Sequence, residues 1–151
     1  MKTNTVKFIT ILMAAMLFAG CAAKPTHLEL TIKSTGDLNP DNENISSPLM
    51  LNFYELESAE KFSKLDFWTL MDKGNDRLST DLISQNKHII VPSEEQEYKI
   101  LFDDKAKFLG IIGNFRNIDE NATWRYVINL KQKDFNKADL LIDQYAIRKE
   151  K

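Results

Sequence analysis

The sequence predicts a mainly β fold: two packed sheets with a short helical insertion after the second strand. Three observations predict it. Apolar and polar residues alternate with period two in separate segments, such as Leu28-Leu30-Ile32 and Tyr98-Ile100-Phe102. The period lengthens to three or four only once, over residues 58–72. No unit repeats, and two sheets bury several one-sided strands most simply.

Residues 1–20 read as a removable signal. Lys2 and Lys7 mark a charged start, and Phe8 to Ala19 then runs FITILMAAMLFA. Twelve helical residues span about 18 Å against a hydrocarbon core of about 30 Å, which suits a signal core better than a membrane span. The run ends at Ala19-Gly20, before the single cysteine of the chain. Leu17-Phe18-Ala19-Gly20-Cys21 resembles a bacterial lipobox, in which the peptidase cuts before the cysteine and its thiol receives diacylglycerol. The competing reading is a plain secretory signal followed by an unrelated cysteine. Ala22 follows Cys21, where an Asp is the usual enterobacterial signal for inner-membrane retention. That points to an outer-membrane position facing the periplasm. Residues 21–26 would form the lipidated tether, under about 20 Å long, and residues 27–151 one sandwich domain.

His27–Lys33 (HLELTIK) alternates strictly and predicts the first strand. Ser34–Ser47 is a polar connection of 14 residues, well above hairpin norms. Pro48–Leu56 predicts a second strand, with Leu49, Leu51 and Phe53 on one face. Residues 58–72 predict one or two short helices, with Ser63-x-x-Asp66 resembling a capping box and a break at Gly74-Asn75. Leu78–Ser84 fits neither period. Lys87–Val91 predicts a short strand stopped by Pro92, and Glu97–Phe102 another. Lys107–Phe115 is almost continuously apolar, as in a strand covered on both faces, and Gly110 and Gly113 mark a bulge or close packing. Trp124–Leu130 alternates after the polar turn 117–123, and Leu140–Ile147 closes the sheet. The expected core holds Leu28, Leu30, Ile32, Leu51, Phe53, Ile111, Tyr126 and Ile128.

Composition excludes several classes. At 43% hydrophobic and 28% charged residues, the chain is neither disordered nor low-complexity. The net charge is −2, and losing Lys2 and Lys7 takes it to −4, so there is no basic footprint for nucleic acid. One cysteine and two histidines support neither a disulfide framework nor a metal centre, and no cofactor is expected. His27 and His88 read as strand-edge residues. Asp103-Asp104 reads as a hairpin turn rather than a paired catalytic carboxylate. No nucleophile elbow or phosphate-binding loop is present, so no catalytic residue is assigned.

Three features could bind a partner. Phe62, Phe67 and Trp68 form either an exposed aromatic patch or the buried face of a helix. Trp124-Arg125 is either an interface anchor or a core tryptophan opening a strand. The long connection carries Asp37-Leu38-Asn39-Pro40-Asp41-Asn42-Glu43. Here Pro40 fixes φ, Asn39 and Asp41 can bond nearby backbone, and Leu38 is an apolar group in a polar setting.

In this order, behind a lipobox, Leu38-Asn39-Pro40-Asp41, Pro48…Tyr54-Glu55-Leu56, Phe62…Asp66-Phe67…Leu70 and Trp124-Arg125 resemble the TssJ family. These are outer-membrane lipoproteins of the bacterial type VI secretion system. Asn52 departs from the family, which commonly carries a basic residue there. The resemblance implies a transthyretin-like sandwich with a helical addition. It implies a non-enzymatic anchor that binds the periplasmic C-terminal region of the inner-membrane protein TssM, and TssL indirectly. The family's loop between the first two strands makes that contact; here it is Ser34–Ser47, with Leu38 as the apolar anchor. The rival classes are a transthyretin-like lipoprotein that carries a small molecule, an inhibitor or adhesin, and a lipoprotein hydrolase.

Overall fold

A computed structural model describes residues 24–119 and 122–150. Cys21 and the signal segment lie outside the described residues. Among the described residues there are eight strands: β1 (His27–Ser34), β2 (Leu49–Leu56), β3 (Leu82–Ile90), β4 (Glu95–Leu101), β5 (Phe108–Gly113), β6 (Arg125–Asn129), β7 (Phe135–Ile142) and β8 (Ile147–Lys149). They form two four-stranded sheets, ordered β4-β1-β7-β8 and β3-β2-β5-β6. β1 pairs with β7 in parallel and with β4 antiparallel; the second sheet is antiparallel throughout.

Alternation places one side of each strand in the space between the sheets. Leu28, Leu30 and Ile32 meet Leu51, Phe53 and Ile111 there, all buried. Tyr126 and Ile128 pack against this core but are only partly buried, because β6 is an edge strand. Each fully buried Leu or Phe contributes about 1.5–3 kcal/mol from burial.

The helical insertion covers the outer face of the second sheet. α1 (Glu60–Lys64) and α2 (Phe67–Leu78) bury Phe62, Phe67, Leu70 and Leu78 against Tyr54, Leu56 and Ile112. β5 is therefore covered on both sides, which explains its continuous apolar run. Gly110 and Gly113 serve close packing rather than a bulge. A Cβ at Gly110 would lie 2.6 Å from the Phe62 ring, and one at Gly113 2.7 Å from Phe115.

Several expectations need correction. The helices separate at Leu65-Asp66, where both residues are extended, and Gly74-Asn75 stays inside α2 just after a kink at Lys73. Asp66 caps α2 by itself: one carboxylate oxygen accepts from the Thr69 amide at 2.9 Å and the other from its hydroxyl at 2.6 Å. Ser63 lies within α1, so Ser63-x-x-Asp66 is not a capping box. Residues 78–84 become the end of α2, a 3-10 turn (Ser79–Asp81) and the start of β3, which begins five residues before the expected strand. Residues 140–147 are not one strand but the end of β7, a turn and the start of β8. Asp103-Asp104 does form a turn, with the Ala106 amide donating to the Asp103 carbonyl. It is no hairpin, however, since β4 and β5 belong to different sheets.

Candidate functional site

The connection from β1 to β2 crosses between the sheets, which accounts for its length. It sits at the end of the sandwich where β1 finishes, beside the β3–β4 turn, the segment after β5 and the β7–β8 turn. Backbone bonds tie these together: the Thr35 amide donates to Ile142, Ser93 to Thr35 and Asn39 to Gln144.

Asn39 is the staple. It is buried at φ 45°, a left-handed conformation that asparagine tolerates. Its Nδ2 donates to the Pro48 carbonyl at 2.9 Å, and its Oδ1 accepts from the Arg116 amide at 2.8 Å. Leu38 beside it is fully buried in the inter-sheet core. This corrects its expected role as a partner-facing anchor: the side chain holds the loop down and has no surface to offer. Pro40 is buried too.

Asp41 orders the tip. Its Oδ1 accepts from the Glu43 and Ile45 amides, both at 2.9 Å, while its backbone bonds Ile45 and Asn44. What remains outward is Asp37, Asn42, Glu43, Asn44 and Ile45, the last 58% exposed. Beside the tip lies an open cavity of about 580 Å³ lined by Pro40, Asp41, Asn42, Arg116, Asn117 and Tyr145. The structure thus brings the predicted loop residues together and splits them: Leu38, Asn39 and Pro40 build the support, and Asp37, Asn42 and Glu43 form the surface. Ile45, the second apolar residue of the predicted loop, is the one that faces out, whereas Arg116 and Tyr145 come from other segments and carried no signal in the sequence.

The other sequence candidates resolve structurally. Phe62 and Phe67 are buried, whereas Trp68 is 71% exposed with its ring edge-on to Phe67. Trp124 stacks edge-on against Phe67 at 5.3 Å. Arg125 Nη1 donates to the carbonyls of Phe62 at 2.6 Å and Leu65 at 2.8 Å, satisfying the open end of α1. Burial lowers the pKa of this guanidinium from its ordinary value. Asn52 is buried, with Nδ2 bonded to Asn114 Oδ1 at 2.7 Å, and offers no surface contact.

His27 and His88 lie in different sheets. His88 stacks between Phe53 at 4.5 Å and Tyr98 at 4.8 Å, and burial lowers its pKa. These rings sit in a cleft of about 480 Å³ between edge strands β3 and β4. Of the cleft's two carboxylates, Glu55 is engaged by the Ser84 hydroxyl at 2.7 Å and the Asp103 amide at 2.6 Å, and Glu97 is exposed. Among the described residues, no group of three His, Cys, Asp or Glu is placed to hold a metal ion.

A two-sheet sandwich with a helical cover and a stapled crossover loop defines a recognisable class. Residues 26–145 match the profile of the type VI secretion lipoprotein family (VasD, EvfM, TssJ), and the chain belongs to that family. Among solved structures, it is similar to TssJ1 from Pseudomonas aeruginosa, with TM-score 0.78, 27% identity, and 82% of this chain and 94% of that chain covered. Lip from Serratia marcescens, a membrane-bound component of the type VI secretion system, shares the fold at TM-score 0.77 and 18% identity, covering 84% and 97%. A chain in the structure of the TssM C-terminal domain from EAEC does so at TM-score 0.69 and 21% identity, covering 83% and 98%. A comparison with curated protein sequences finds no match. No helix among the described residues is long and apolar enough to cross a membrane.

Proposed function

We propose that the chain is a non-enzymatic outer-membrane lipoprotein of a type VI secretion system. Lipid on Cys21 holds it in the periplasmic leaflet. The loop Ser34–Ser47 binds the periplasmic C-terminal region of a TssM-like inner-membrane protein, and TssL is reached only through that protein. The observation that carries this reading is the loop itself: an acidic tip, ordered from within, at the far end of β1 from the tether. Eight strand residues at about 3.3 Å each separate the two by about 26 Å. A protein held at one end and gripped at the other can transmit load without making or breaking a bond. Support also comes from the TssM structure containing a chain of this fold.

Pre-ordering lowers the entropy lost on binding. Asp37, Asp41 and Glu43 call for basic groups opposite, and added salt should weaken the complex. The test is calorimetric titration of a TssM C-terminal fragment into wild type and a Glu43→Lys/Ile45→Ser variant. Both changed side chains point outward, so folding should survive, with thermal melting as the control. Replacing the whole of 38–43 would instead remove core packing from Leu38. Affinity should fall at least tenfold, equivalent to about 1.4 kcal/mol. Unchanged affinity in the folded variant would move the interface elsewhere, with exposed Trp68 the next surface to test.

A further inference from the structure

The end of the sandwich opposite the loop carries an exposed leucine and phenylalanine beside a histidine, with no function in the reading above. His27, Leu101 and Phe135 begin or end three neighbouring strands and are register partners, His27 with Leu101 and His27 with Phe135. Their side chains share the outer face of the first sheet, because the next residues, Leu28 and Ile100, turn toward the core. In the next register that face is charged, with Glu29, Lys99 and Lys137. Leu101 is 72% exposed and Phe135 41%, and the His27 ring lies 4.9 Å from that of Phe135.

The same three residues surround the point where the chain leaves for Cys21. Thr26 is fully buried; its carbonyl accepts from the Phe102 amide at 3.0 Å and its hydroxyl from the Lys133 amide at 2.7 Å. The His27 amide donates to the Asp134 carbonyl, and Lys24 Nζ pairs with Asp134 at 2.9 Å. Only three peptide steps then separate Lys24 from Cys21, at most about 11 Å. A lipid on Cys21 would hold this end against the headgroups.

Charge favours the same orientation. Lys24, Lys105, Lys131 and Lys133 stand around the trio against Asp103, Asp104 and Asp134, leaving that end close to neutral. The loop end carries Asp37, Asp41, Glu43 and Glu94 against Arg116, and this net negative end would be repelled by an anionic leaflet. Lysines at such a boundary can lay their stems on the apolar level and keep their ammonium groups wet.

We propose that His27, Leu101 and Phe135 form a face that rests in the headgroup layer of the membrane holding the lipid anchor, fixing the sandwich upright with its loop toward the periplasm. This inference rests on the anchoring reading of Cys21. The test uses the mature lipidated protein in vesicles of phosphatidylethanolamine and phosphatidylglycerol. Leu101→Cys or Asn42→Cys supplies the one free thiol for an environment-sensitive dye, and nitroxide-headgroup lipid acts as quencher. Quenching at position 101 should exceed that at position 42 at least threefold. Equal quenching on a chain whose mass carries the lipid would overturn the resting face while leaving the anchor intact. A mass without lipid would overturn the anchor, and the resting face with it.

Discussion

Asn39 does its work with both ends of one amide group, donating to Pro48 and accepting from Arg116 while its own backbone takes a left-handed turn. Asn39→Ala removes both part-buried bonds, at about 0.5–1.5 kcal/mol each, and should cost about 1–3 kcal/mol in urea denaturation. Asn39→Gly relieves the backbone but not the lost bonds, so it should fall between the two. Arg125→Ala uncovers the carbonyls of Phe62 and Leu65 and should cost a similar 1–3 kcal/mol. His88 gives a pH signature. Its folded pKa is depressed by burial, so between about 6.5 and that lower value the unfolded chain binds more protons. Its contribution is fully present above about pH 6.5 and is lost as pH falls toward the depressed value. The carboxylates with lowered pKa, Glu60 held by Lys64, Asp66 by Thr69, Glu94 by Gln96 and Asp134 by Lys24, weaken the fold only at more acid pH. Thermal melting from pH 7.5 to 5.5 should show a decline in wild type that His88→Gln lacks.

At the scale of elements, β5 and α1 fit closely. The Phe62 ring occupies the space that a side chain at position 110 would need. Gly110→Ala should cost about 1–3 kcal/mol through forced displacement. Phe62→Leu added to it should cost less than the two changes summed, a coupling that a double-mutant cycle in urea measures. This element-level fit also marks what the sequence made legible. β1, β2, β4, β5 and β6 could be read because their inward positions carry Leu, Ile, Phe or Tyr. The start of β7 could not, because its inward positions are Asn136 and Ala138; Asn136 faces inward to bond Lys131. β3 was half visible for a related reason: Ser84, Asn86 and His88 line an open cleft rather than the packed core. The loop was found through its length and its Leu-Asn-Pro-Asp run. The division of labour within that run was not legible, since burial of Leu38 depends on how the sheets pack and not on its neighbours in sequence.

At the scale of the whole molecule, the sandwich is a short strut with unlike ends. One end carries the tether, a near-neutral ring of lysines and aspartates, and exposed Leu101 and Phe135 beside His27. The other carries a stapled acidic loop and an open cavity. If Cys21 bears the lipid, Cys21→Ser should release the protein from the membrane fraction and abolish secretion, since an untethered strut bears no load; membrane fractionation with mass determination reads this directly. The two-ended arrangement itself is tested by site-specific photocrosslinking in cells, with the crosslinking residue placed at Glu43 or at Leu101 of the full-length protein. Position 43 should yield an adduct with a TssM-like protein and position 101 none. An adduct from position 101 with none from position 43 would contradict the arrangement.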